Sequence, residues 1–234
     1  VETIVIAAVE SCSFVDFPGR LAAVAFTQGC DLRCRYCHNP ELCERKSTSP
    51  KVTDELLGLL SRRRGLLSGV VVCGGEPTLW DDLASLLRRL RSMDLAIKLD
   101  TNGLHPERTK CLVEQGLVDY LAVDIKTAPG ERSQWLCGHA RQGEIAMRTL
   151  AEASRLGVPC EARTVLVRGV HDGEAVSWIA ERLAETGIML WRLRDVRDGR
   201  VLDRSEPLVP PDKAVGDHAQ TLAAGLGLDV QWFR

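Results

Sequence analysis

Six short apolar runs, at 21–27, 70–73, 96–100, 120–125, 160–167 and 188–193, decide what this chain can fold into. Each has the length of a strand and gives way to a polar or glycine-bearing loop. Between the runs the apolar residues change period. Leu83, Leu86, Leu87 and Leu90 recur at helical spacing, as do Val176, Ile179, Ala180 and Leu183, the pattern of a helix with one buried stripe. A helix from 144 to 156 stops at Gly157, and Pro106 suits the first position of another. Strand and helix units that alternate in this way predict a parallel sheet with right-handed crossovers. In α/β barrels the functional loops gather at the C-terminal ends of the strands.

The remaining segments carry weaker signals. A leading strand is expected at 3–9, and Thr53 is placed to cap a helix whose first turn carries Asp54 and Glu55. The stretch 131–143 reads as a loop containing Trp135. From 195 to 211, charge and proline predict irregular chain, followed by a weak helix at 217–224 and an apolar end at 228–233. With no linker and no internal repeat, residues 1–234 read as a single domain with an irregular C-terminal extension from about residue 195.

Composition narrows the class. A chain of 234 residues, 45% hydrophobic and 26% charged, can bury one sizeable core. Its net charge of -2 gives no reason to expect nucleic-acid binding or an anionic membrane surface as partner. Arg62, Arg63 and Arg64, and the pair Arg88 and Arg89, read as solvated helix faces. No apolar run approaches the ~20 residues that span a bilayer, and the apolar start lacks a basic region and a cleavage pattern, so it reads as a strand rather than a signal peptide. Nine cysteines, six of them scattered, are expected to be reduced thiols in a cytoplasmic setting.

The other three cysteines are not scattered. Cys30, Cys34 and Cys37 stand at a Cys-x3-Cys-x2-Cys spacing between Gly29 and Pro40. Thiolates are soft ligands that select iron-sulfur clusters, zinc or copper(I). A structural zinc site with Cys30 or His38 completing the set is one reading, but no second Cys-x2-Cys or His-x3-His pair exists to supply the far half. The other reading is a four-iron cluster with one iron left open for a substrate or cosubstrate. Cys43, just behind the loop, is a candidate spare ligand.

The spacing, Tyr36 before the third cysteine, and His38-Asn39-Pro40 after it resemble the radical S-adenosylmethionine (SAM) enzymes, and among them the glycyl-radical-enzyme activases. Ser13-Phe14-Val15-Asp16-Phe17-Pro18-Gly19-Arg20 upstream and Cys73-Gly74-Gly75-Glu76-Pro77-Thr78 downstream look like motifs of the same family, and the matches run from about residue 11 to about residue 170. The resemblance implies an α/β fold, a partial (β/α)6 TIM-like barrel of the radical SAM type. It also implies a 4Fe-4S cluster on Cys30, Cys34 and Cys37, with SAM chelating the open iron. Reduction of the sulfonium would yield a 5′-deoxyadenosyl radical that abstracts a hydrogen from a glycine of a partner glycyl radical enzyme.

Further roles are carried over by resemblance. Tyr36 would pack by the adenine, Gly74, Gly75, Glu76 and Pro77 would hold the SAM amino group, and Lys126 would reach its carboxylate. Asp100, Thr101 and Asp124 would hold a monovalent cation, and Asp16 would lie near the partner's peptide. Arg163 falls at a matched position, whereas the family's late histidine would fall near Trp178; His171 is another ligand-facing candidate. A low-potential electron donor such as flavodoxin or ferredoxin is implied. The compact length and Phe14-Val15-Asp16-Phe17-Pro18-Gly19 most resemble the activating protein of anaerobic ribonucleoside-triphosphate reductase, with a pyruvate formate-lyase-type activase as rival. A radical SAM enzyme acting on a small molecule, such as a carboxy-deazaguanine synthase, is a further alternative.

Overall fold

A computed structural model describes residues 4–44, 51–197, 199, 201–203 and 205–233. Eight strands form one sheet in sequence order: β1 (Ile6–Ser13), β2 (Ala22–Thr27), β3 (Gly69–Gly74), β4 (Ala96–Thr101), β5 (Tyr120–Asp124), β6 (Cys160–Leu166), β7 (Leu190–Asp195) and β8 (Asp229–Phe233). β1 pairs antiparallel with β2, and every later pair is parallel. The crossovers carry α1 (Lys51–Arg62), α2 (Leu83–Arg91), α3 (Pro106–Glu114), α4 (Glu131–Cys137), α5 (Gln142–Arg155), α6 (Gly173–Thr186) and α7 (Lys213–Gly225). This is the expected α/β architecture, with the six predicted strands as β2 to β7.

Strand alternation sorts the two faces of the sheet. On β4, Ile97 and Leu99 are fully buried in the outer core, which also takes Leu83, Leu86, Leu87 and Leu90 of α2. Each such leucine contributes about 2 kcal/mol of burial. Lys98 and Asp100 alternate with them and line the inner cavities. The inner face is apolar near β1 to β3, where Phe17, Ala22, Val24 and Val71 pack together, and becomes charged from β4 onward.

Four boundaries differ from the sequence reading. β1 runs to Ser13, well past residue 9, because its pairing with β2 continues from Ile6 opposite Thr27 to Ser13 opposite Ala22. α1 is already helical at Lys51, so Thr53 lies inside it. Part of the expected loop at 131–143 is α4, which buries Leu136 and Cys137 in one cluster with Leu32, Cys34 and Tyr36 of the cysteine loop. The apolar end forms β8, parallel to β7 and held to it by Trp232 Nε1 donating to Asp195 Oδ1 at 2.9 Å. Between β7 and α7 the described residues are irregular, as expected.

Candidate active site

The cysteine loop leaves the C-terminal end of β2 and is laced to three later segments. Gly29 N–H donates to Leu42 O (2.7 Å) and Cys30 N–H to Cys43 O (3.2 Å). Arg33 and Arg35 N–H donate to Cys137 O (3.0 Å) and Leu136 O (2.9 Å) at the end of α4. Arg35 also stacks its guanidinium 4.0 Å from the Trp135 ring. So held, Cys30, Cys34 and Cys37 line one cavity of about 560 Å³ together with Cys43.

Among the described residues, no three His, Cys, Asp or Glu side chains converge on a single-ion site. Three thiols that share a cavity without converging suit a cluster, which takes each thiolate on a different iron, better than one tetrahedral zinc. Burial pushes the Cys30 and Cys34 thiols up to about 12, whereas a hydrogen bond from Cys43, 3.9 Å away, draws Cys37 down to about 6. Loading a metal group must therefore displace protons from two buried thiols.

The Gly74 to Pro77 loop crosses the base of the cysteine loop. Gly75 N–H donates to Thr27 O (2.8 Å) and Glu76 N–H to Gly29 O (2.7 Å). Gly74 adopts φ +115°, and a Cβ there would lie 2.3 Å from Thr27 N; a Cβ on Gly75 would lie 2.1 Å from Gly29 O. Both positions need glycine because two backbones touch. Only the two glycines reach the cavity. Glu76 lies fully buried beneath them, accepting from Thr78 N–H (3.0 Å), Thr78 Oγ1 (2.6 Å), Thr101 Oγ1 (2.7 Å) and Asn102 N–H (2.6 Å). Glu76 is thus a brace tying β3 to β4, and Pro77 is buried at the start of a short 3-10 turn, Pro77–Leu79.

The second constellation is an ion lattice across β4, β5 and β6. Arg163 Nη1 bonds Asp100 Oδ2 (2.7 Å) and its Nε bonds Asp124 Oδ1 (3.0 Å). Lys126 Nζ meets Asp124 Oδ2 (2.9 Å), and Lys98 Nζ meets Asp100 Oδ1 (2.6 Å). Burial alone would raise Asp124, but Lys126 and Arg163 outweigh it and hold the carboxyl at about 2. The trio expected to hold a monovalent cation is not gathered. A guanidinium stands between the two aspartates, and the Thr101 hydroxyl is turned to Glu76.

Lys126 Nζ also sits 5.6 Å over the Tyr36 ring, whose buried hydroxyl has no hydrogen-bond partner among the described residues. A buried, unpaired phenol in a thiol-lined cavity with a glycine cradle fits an organic ligand beside a cluster.

His171 does not face the cavity. Its Nδ1 accepts from Val167 N–H (3.0 Å), so Nε2 carries the proton and donates to Lys126 O (2.9 Å). Burial pushes it down to about 4. The folded protein keeps the ring neutral while the unfolded chain takes up a proton below about 6.5. Stability present above pH 6.5 should therefore fall, by about 3 kcal/mol, as pH drops toward 4. Denaturant midpoints measured across that window should slope less in His171→Gln than in the parent.

Trp178 sits on α6, lining a separate pocket with Thr127 and Glu174, so it supplies no late contact to the cavity. Arg194, near the end of β7, does line it, and its side chain has no ion pair or hydrogen bond among the described residues. Sequence reading missed Arg194 together with Lys98, Glu161 and Arg192, which join as Lys98 to Glu161 (3.7 Å) and Arg192 to Glu161 (2.9 Å). The signal was present in charges at alternate positions of otherwise apolar strands. Asp16 lies at the mouth of the adjoining cavity, where its carboxylate accepts from Ser13 Oγ (2.5 Å).

A partial barrel with a three-cysteine loop and a glycine cradle at its strand ends defines a radical SAM enzyme. The chain belongs to the Radical SAM superfamily, whose model matches residues 24–180. Membership brings a 4Fe-4S cluster and SAM as its cofactors.

A Methanocaldococcus jannaschii protein named as a glycyl-radical enzyme activating enzyme is 29% identical, covering 74% of this chain and 72% of that one. The pyruvate formate-lyase-activating enzyme of Staphylococcus aureus is 33% identical, covering 70% and 68%. The GTP 3′,8-cyclase of Aquifex aeolicus is 27% identical, covering 80% and 59%. Among solved structures, a radical SAM methyltransferase from Sphaerobacter thermophilus superposes with TM-score 0.73 at 18% identity, covering 94% of this chain and 67% of that one. Streptococcus suis SuiB bound to SAM gives 0.66 at 14%, covering 87% and 47%, so this chain spans about half of that protein.

Proposed function

We propose that this chain is a glycyl-radical-enzyme activase whose partner is anaerobic ribonucleoside-triphosphate reductase. The observation that carries a protein substrate is the open sheet: strand order runs from β1 to β8 without closing, so the reaction chamber has a lateral mouth. The names of two relatives support the same reading, and the Phe14 to Gly19 stretch favours the reductase over pyruvate formate-lyase.

When bound, the cluster and SAM supply the one-electron reduction and the adenosyl radical. The chain's own residues do the rest. Cys30, Cys34 and Cys37 hold the cluster, while the Gly74 and Gly75 backbone receives the methionyl amino group. Lys126, fixed by Asp124 and by the His171 bond to its carbonyl, presents positive charge toward the carboxylate. Tyr36 offers a ring and a free hydroxyl beside it. A flavodoxin or ferredoxin would deliver the electron.

The charged inner wall favours one second reading, a small polar substrate of the kind the cyclase relatives use. That relative extends well beyond this chain, which covers 59% of it. Electron paramagnetic resonance on the reduced, reconstituted enzyme with SAM and the anaerobic reductase separates the two. The expected result is a glycyl doublet on the reductase. A doublet only with pyruvate formate-lyase would move the assignment to that partner, and SAM cleavage with no doublet from either would favour the small-molecule reading.

A further inference from the structure

The turn that follows β1 holds two large apolar side chains out in water. Phe14 is 81% exposed and Val15 79%. Ser13 Oγ accepts from Val15 N–H and from Asp16 N–H, both at 3.2 Å, while donating to the Asp16 carboxylate. On the other side Phe17 is buried in the chamber floor, its ring 6.0 Å from that of Tyr120, and Arg20 N–H closes back on Phe17 O at 3.1 Å. A hydroxyl-centred turn and a buried anchor therefore present Phe14 and Val15 in a set orientation.

Scattered exposed apolar residues are ordinary, but an adjacent pair in a braced turn at a functional opening marks an interaction site. Val15 and Asp16 line the chamber mouth together with Phe233, itself 43% exposed, on β8 at the other lip of the unclosed sheet. Apolar side chains thus flank the mouth on both lips.

We propose that Phe14 and Val15 are the docking knob by which this enzyme grips its glycyl radical enzyme, seating in an apolar socket beside the segment that carries the target glycine. This inference rests on the activase reading above. A glycine Cα has no side chain to recognise, so most of the grip on a protein substrate must come from surface outside the chamber. The knob is continuous with the mouth through which such a segment passes. It is preorganised, which lowers the ordering cost of association. A few side chains seated in desolvated pockets near the centre of a contact dominate affinity, and Phe14 is the larger of the two here.

The test uses the reconstituted holoenzyme carrying Phe14→Ser with Val15→Ser, beside Met189→Ser, which removes another exposed apolar side chain, 63% accessible and just ahead of the start of β7. Binding to the anaerobic reductase, and the glycyl doublet formed at subsaturating reductase, should fall about 10- to 100-fold in the double variant. Met189→Ser should match the parent, and Phe14→Leu should restore most of the loss. SAM affinity, and SAM cleavage without partner, should stay within about twofold in every variant.

Undiminished binding and doublet yield in the double variant would overturn the proposal, as would a parallel loss of SAM affinity, which would assign the turn to the SAM site. Self-association of the parent that the double variant abolishes would give the knob to a second copy of this chain instead. If the parent cleaves SAM but neither binds nor activates the reductase or pyruvate formate-lyase, the activase reading falls and the knob proposal with it.

Discussion

Cys34→Ala should fold and fail to hold a cluster. The Cys34 thiol is buried in one apolar cluster with Leu32, Leu136 and Val170, and methyl for thiol is a small volume change there, so the fold should survive. Asp31, the carboxylate in the loop, is engaged by His105 and Asn102 and is not free to take its place. Iron bound per chain after anaerobic reconstitution should fall at least ~10-fold, and reductive SAM cleavage with it. Cys37→Ala should do the same. Cys43→Ala is the control: it shares the cavity and lies 3.9 Å from Cys37, yet should retain iron. Equal loss in Cys43→Ala and Cys37→Ala would move the third ligand.

Gly75→Ala should damage stability and SAM affinity together. The added methyl would meet Gly29 O at 2.1 Å, and neither backbone can yield alone, since Thr27 pairs with Gly74 and Glu76 N–H is bonded to Gly29 O. Overpacking and the lost hydrogen bond together cost about 2–4 kcal/mol. For a domain of this size that is a fall in Tm of roughly 5–15 °C. Because the displaced backbone is both the SAM cradle and the root of the Cys30 loop, SAM affinity should weaken at least ~10-fold, measured by equilibrium dialysis on the unreduced enzyme. Gly225→Ala, where nothing lies within 4 Å of the new Cβ, should change stability by less than about 1 kcal/mol.

What could be read from the chain follows from which constraints are local. The six parallel strands were legible because each apolar run is bounded by loop signals and buries its outer face under a leucine-striped helix. The cysteine and glycine motifs were legible because ligand spacing and close backbone approach act over a few residues. α4 was not, since its seven residues show no apolar period; it is helical because Leu136 and Cys137 pack under the cysteine loop more than 100 positions earlier. β8 was weak for the same reason, being defined by pairing with β7.

The role of Glu76 was equally hidden. A motif placed it at the ligand, and only the four donors around its carboxylate reveal a brace. The partner of Arg163 could not be read from spacing either, because Asp100 and Asp124 come from two different strands.

The lacing of the cysteine loop bears on how the enzyme is made. Its backbone ties run to residues 42–43, then to 75–76, and last to 136–137 at the end of α4. During synthesis the three thiols leave the ribosome long before the segment that clamps them. A nascent chain halted between residues 37 and 137 would carry all three cluster thiols and yet lack the geometry to keep iron. Cluster loading should therefore be a late event, following the folding of more than half the domain.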